Sequence, residues 1–138
     1  LGRNKRKHNI SMHLEDDLLM ANMDARLIIQ VLVNLINNAI KYTPENSNIS
    51  LNARRVEDKI LIEVQDDGNG VLHPDQLFEM FYTENNRGGD TRRGMGLGLS
   101  LCKSIIQSHG GTIWVENVTP HGACFKFVLD AVEVKLYE

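Results

Sequence analysis

The stretch Ile49–Gly70, ISLNARRVEDKILIEVQDDGNG, holds two apolar runs and the break that ends the second. Ile49 to Val56 and Ile60 to Gln65 each read as a short strand. Glu57-Asp58-Lys59 between them is short and polar, so the pair reads as a hairpin. Asp67 to Gly70 then stops the second strand on two glycines. Antiparallel pairing is therefore expected at the centre of the fold.

Upstream, Ile10, Met12 and Leu14 alternate with Asn9, Ser11 and His13, the pattern of an edge strand. Asp16-Asp17 marks a turn. Asp24 can cap a long helix reaching about Tyr42, where Pro44 ends the pattern and Asn46-Ser47 supplies a loop. Downstream, Pro74 suits the first turn of a short helix, Asp75 to Met80. Tyr82 to Arg93 is polar and without period, and predicts a mobile loop. A second long helix is predicted from about Met95 to Ser108, stopped by Gly110-Gly111. Thr112 to Asn117 and Ala123 to Leu129 form a second hairpin around Thr119-Pro120-His121-Gly122.

Hairpins with helices inserted between them predict an α/β (α+β) two-layer sandwich, its sheet mixed but largely antiparallel, its helices packed on one face. The segment between Gly70 and Met95 is left to cross the open side as a mobile lid. Residues 1–9 read as a linker remnant, 10–129 as one domain, and 130–138 as a tail, partly disordered or a short edge strand.

At 138 residues the chain is long enough to bury a core without disulfides or metal staples. Its net charge of −3 argues against general nucleic-acid binding, and the basic run Arg3–Lys7 reads as a solvated linker. Cys102 and Cys124 lie far apart among apolar neighbours, so both read as small buried hydrophobes in a reducing compartment. No apolar run approaches the roughly 20 residues needed to span a bilayer, so direct membrane contact by this domain is not expected. The chain begins at Leu1 rather than Met, and is expected to be excised from something longer.

Four stretches in series, Asn34–Tyr42, Asp66–Gly70, Phe78–Phe81 and Gly94–Leu99, carry the reading. At about 100° per residue, Asn34, Asn38, Lys41 and Tyr42 share one stripe of the first helix, with Ile28, Leu32, Leu35, Ile36 and Ala39 mostly behind it. Such a stripe is either solvent-facing or the wall of a polar site. In the second case Asn38 offers an amide oxygen to Mg²⁺, and Lys41 offsets phosphate charge. Asp66 ends a strand at the sheet's rim. A carboxylate only accepts hydrogen bonds, which suits the exocyclic amine of adenine and rejects the carbonyl of guanine. Gly68 and Gly70 would let main chain approach the base, although this pattern alone is more often a plain acidic turn. Gly94, Gly96 and Gly98, with Leu97 and Leu99, enter the second helix, whose free N–H groups suit phosphate. The stretch fits neither the P-loop nor the dinucleotide fingerprint. Arg87, Arg92 and Arg93 stand beside it and can reach a terminal phosphate. Phe78 and Phe81 flank the lid, mainly as its hydrophobic anchors, with Phe81 also a candidate at the nucleotide. His109 and Trp114 read as structural. In series, these stretches describe a pocket for a magnesium nucleotide.

The chain resembles the catalytic ATP-binding domain of sensor histidine kinases, within the superfamily shared with gyrase, the heat-shock chaperone ATPase and mismatch-repair ATPases. Asn34–Tyr42 resembles its asparagine box, Asp66–Gly70 its first glycine box, Phe78–Phe81 its phenylalanine box and Gly94–Leu99 its second glycine box. The likeness covers about Ile10 to Leu129. Gln30-Val31-Leu32, Lys41-Tyr42-Thr43-Pro44 and His109-Gly110-Gly111 resemble the kinase branch. The Met95–Lys103 run and the Pro120-His121-Gly122-Ala123 turn are similar to potassium-responsive sensor kinases.

The resemblance implies ATP and Mg²⁺ as ligands, Asn38 and Lys41 as the catalytic residues, and transfer of the γ-phosphoryl group to a histidine. The acceptor would lie on a separate helical hairpin of the same parent protein, and a response regulator would be the downstream partner. The parent is expected to be membrane-anchored, with this domain on its cytoplasmic side. Hydrolysing relatives carry a glutamate four residues before the magnesium asparagine. Here that position is Asn34, which cannot act as a base. None of His8, His13, His73, His109 or His121 has the acceptor's context, so ATP binding without self-phosphorylation is expected. The competing readings are a gyrase- or chaperone-type ATPase and an anti-sigma-factor-type serine kinase.

Overall fold

The computed structural model describes residues 8–14, 21, 23–82 and 98–132. In chain order the elements are β1 (Asn9–Leu14), α1 (Ala25–Lys41), β2 (Asn48–Val56), β3 (Lys59–Asp66), a 3₁₀ turn (Pro74–Gln76), α2 (Gly98–Ser108), β4 (Thr112–Asn117) and β5 (Ala123–Asp130). The sheet runs in the order β1-β2-β3-β5-β4. α1 is the crossover between β1 and β2, which forces those two strands parallel; every other pairing is antiparallel. This is the expected two-layer sandwich.

Strand alternation decides which side the helices cover. Ile49, Val64, Val115, Phe125 and Phe127 point to one face and join Val31, Leu35, Ala39, Cys102 and Ile106 of the helices in one core. The buried stripe of α1 is Ile28, Val31, Leu35 and Ala39. Leu32 and Ile36, expected behind the polar stripe, are only partly buried, and Val31 takes the central place. The other face is held by a charged cluster. Lys126 lies 3.1 Å from Glu116 and 3.5 Å from Glu63, and the Trp114 indole N–H donates to Glu116 at 2.8 Å. Trp114 and Lys126 together leave Glu116 below the usual carboxylate range, the Trp114 bond contributing most.

α1 starts at Asp24, whose Oδ1 accepts from the N–H groups of Arg26 and Leu27. The backbone N–H of Asp24 donates to His109 Nε2 at 3.0 Å, while His109 Nδ1 lies 2.8 Å from the carbonyl of Ile105. With a proton on Nδ1, the ring ties the start of α1 to the end of α2.

Three expectations need correction or limit. The short helix Asp75–Met80 is a single 3₁₀ turn, Pro74–Gln76, followed by irregular turns. Leu77 and Phe78 are buried there, and Phe78 meets Phe125 edge-on at 6.0 Å, so tertiary packing replaces helical propagation. Asp130 belongs to β5 rather than to a tail, and Ala131 bridges to Ala21. The Asp16-Asp17 turn, the glycines ahead of Gly98 and residues 83–94 of the expected lid lie outside the described residues, while its first part, through Val71, Leu77 and Phe78, packs into the core.

Candidate nucleotide site

Asp66 is the last residue of β3 and is 2% exposed on the helix-facing side of the sheet. Its Oδ1 accepts from the Gly68 N–H at 2.9 Å and from the Ala123 N–H at 3.3 Å. Two main-chain donors from two elements therefore hold the carboxylate at the rim. Its neighbour Asp67 turns outward and accepts from the N–H and side-chain amide of Asn48, both at 2.9 Å. Burial pushes the Asp67 carboxyl up, but the Asn48 hydrogen bonds outweigh it and hold the group below the usual carboxylate range.

The C-terminal end of α1 packs directly on this turn. A Cβ on Gly68 would lie 2.7 Å from the Thr43 methyl and 3.3 Å from Asp66 Oδ1, so only glycine fits. Gly70 adopts φ +83, and a Cβ there would lie 2.6 Å from Asn117 Oδ1. Asn117 in turn accepts from the Val71 N–H at 2.7 Å and donates to the Val71 carbonyl at 2.9 Å. Gly122, at φ +119, comes so close to Asp66 that a Cβ would sit 2.2 Å from its carbonyl oxygen. His121 Nδ1 lies 2.8 Å from the Asp67 carbonyl. The β4–β5 turn thus buttresses the acidic turn from one side, and α1 from the other. Sequence pattern did not single out Asn117 or Gly122. An asparagine ending a strand and a glycine in a hairpin turn were the available signals.

On α1, Asn38 is half-buried and its Nδ2 is buried without a hydrogen-bond partner among the described residues. A buried amide left unpaired costs free energy, and its oxygen and nitrogen are interchangeable by a flip, so the group suits an external polar ligand. Lys41 Nζ lies 5.0 Å from the centre of the Tyr42 ring, and Tyr42 is itself buried at the end of α1. Asn34 is half-buried on α1, and the neighbouring Cys102 thiol donates to the Val31 carbonyl at 3.9 Å. Burial drives that thiol up to about 11.

The acidic turn and the end of α1 therefore meet through Thr43. Gly98 opens α2 and is exposed, with nothing among the described residues where a Cβ would go, while Leu99 packs on the core. Phe78 is buried in the core. Phe81 is 66% exposed with φ +69, and the following residues it was expected to anchor lie outside the described residues. Arg87, Arg92, Arg93, Gly94, Gly96 and Leu97 lie outside the described residues. Among those described, no group of three or more His, Cys, Asp or Glu side chains could hold a metal by itself.

Residues 23–133 match the family described as histidine kinase-, DNA gyrase B-, and HSP90-like ATPase. The chain belongs to that family. Within the ATPase family it is 38% identical over 124 residues to the sensor protein KdpD of Clostridium acetobutylicum, an alignment covering 88% of this chain and 14% of that protein. The catalytic domain of the histidine kinase ThkA superposes with a TM-score of 0.77 at 32% identity, covering 89% of this chain and 80% of that one. A structure of ThkA in complex with the response regulator protein TrrA gives 0.75 at 30% identity, covering 91% of this chain and 34% of that one. The relatives of this ATPase-family domain are sensor histidine kinases, and the chain spans a small part of KdpD's length.

Proposed function

We propose that this domain binds Mg-ATP between α1 and the Asp66 turn, and presents the γ-phosphoryl group to a histidine on a helical hairpin elsewhere in a longer parent protein. The observation that carries the reading is the buried Asp66 carboxylate beside Gly68, where main chain replaces any side chain. Asp66 would accept from the adenine amine. Asn38 and Lys41 would face the phosphates, with Asn34, Tyr42, Gly70 and Leu99 lining the approach. Arg87, Arg93, Gly94, Gly96, Leu97 and Gly98 would complete the phosphate side. Asn38 would hold Mg²⁺, which would supply charge neutralisation at the phosphates.

In the transfer, an imidazole nitrogen of the acceptor forms the new N–P bond as the bond from phosphorus to the β–γ bridging oxygen breaks, and ADP leaves. Little is asked of the protein beyond positioning and charge neutralisation. Asn34 stands where a hydrolytic relative would need a base, so water is not activated. This weighs against the gyrase- or chaperone-type ATPase reading. A response regulator would receive the phosphoryl group from the hairpin, by analogy with the complex of ThkA and TrrA.

Titration calorimetry with a non-hydrolysable ATP analogue, with and without Mg²⁺ and with GTP as control, tests the proposal. Mg²⁺-dependent binding of the adenine nucleotide is expected. Equal affinity for GTP, or no binding, refutes it.

A further inference from the structure

His8 stands one residue before β1, and its ring reaches Thr43, just beyond α1. His8 Nε2 lies 2.9 Å from the Thr43 hydroxyl. That hydroxyl has one proton, and it donates it to the carbonyl of Ala39 at 2.7 Å. Towards His8 it can only accept, so Nε2 carries the ring's proton. Nδ1 is buried without a hydrogen-bond partner among the described residues, and the ring is therefore anchored through Nε2.

Thr43 is 2% exposed, and its two ends touch different things. The hydroxyl meets His8, while the methyl lies against Gly68, 2.7 Å from where a Cβ would be. Gly68 in turn gives Asp66 its closer main-chain donor, at 2.9 Å. The Thr43 side chain occupies one staggered rotamer at a time, so whatever fixes the hydroxyl also fixes where the methyl presses. The start of β1 does not need His8 for attachment, since the Asn9 N–H already donates to the Ser47 carbonyl at 3.0 Å.

We propose that His8 is a positioning residue for the adenine-facing carboxylate, acting through Thr43 and Gly68 on Asp66. The path of the chain into β1 is then read at the base end of the nucleotide pocket. A hydrogen bond to an adenine amine is directional, so a small rotation of Asp66 weakens it. The inference rests on the assignment of Asp66 as the adenine contact.

The test uses the whole chain as wild type, His8→Ala, His8→Gln, Thr43→Val and the His8→Ala/Thr43→Val pair. Each is titrated with the Mg²⁺-loaded ATP analogue, and each is melted without nucleotide. His8→Ala is expected to weaken analogue binding roughly 3- to 10-fold, the loss of about one hydrogen bond. His8→Gln, whose amide can donate to Thr43, restores affinity to within about twofold of wild type. The double variant binds no more weakly than Thr43→Val alone, since the two act through one path. Three results overturn the inference: unchanged affinity in His8→Ala with only a lower melting temperature, no rescue by Gln, or losses that simply add. A wild-type chain that fails to bind the analogue instead refutes the nucleotide reading, and the role of His8 falls with it.

Discussion

Asn117 holds Val71 by both ends of its amide, accepting from the Val71 N–H at 2.7 Å and donating to the Val71 carbonyl at 2.9 Å. One side chain thereby substitutes for a strand neighbour and pins the exit of the Asp66–Gly70 turn to the end of β4. Asn117→Ala should cost about 1–2 kcal/mol, because two main-chain groups lose their partner. Urea unfolding measures that, and unchanged stability would mean that the clasp contributes nothing.

Two glycines give opposite expectations. Gly122→Ala places a Cβ 2.2 Å from the Asp66 carbonyl at φ +119, so both the contact and the backbone oppose it. A loss of roughly 2–4 kcal/mol is expected. Gly98→Ala meets nothing within 4 Å among the described residues at the start of α2 and should change stability by less than about 0.5 kcal/mol. Thermal melts of both variants decide it.

The proposed ligand contacts differ in kind. Asn38→Asp puts a second anion beside the phosphates and should weaken Mg²⁺-dependent analogue binding roughly tenfold. Asp66→Asn can donate as well as accept, so the preference for ATP over GTP should fall by about tenfold. Calorimetry with both nucleotides tests each, and unaltered affinities in both variants would displace the site.

Asp67 makes stability depend on pH. Its hydrogen bonds with Asn48 hold the folded-state carboxyl below its unfolded value despite the opposing effect of burial. Stability from this group is therefore present above the ordinary carboxylate range, and is lost as pH falls through the lower folded value. Asn48→Ala should flatten that acid limb in denaturant titrations at stepped pH.

The two thiols should be silent in the native state. Burial raises Cys102 to about 11 and Cys124 to about 12, the latter helped by Glu63, so little thiolate exists at neutral pH. Iodoacetamide should label neither until the protein is unfolded, as mass spectrometry would register.

Local pattern located most of this molecule. Period-2 alternation marks β2 and β3 and the β4–β5 hairpin. Asp24 and Gly110-Gly111 bracket helices, and the break at Asp67–Gly70 puts Asp66 at the rim of the sheet. Where pattern and structure part, packing overrides local preference. The Pro74 segment closes only one 3₁₀ turn, because Leu77 and Phe78 are drawn into the core. Phe81, which resembles an anchor in the sequence, ends up exposed in a left-handed conformation.

Residue types and their spacing were enough to establish the elements, the order of the chemical stretches and the family, since those depend on neighbours a few positions apart. The folded chain alone settled who supports the acidic turn. Asn117 meets Val71 across 46 positions, His121 meets Asp67 across 54, and His109 meets Asp24 across 85. Such partners are joined only when the sheet closes, and no local periodicity encodes a hydrogen bond made through space.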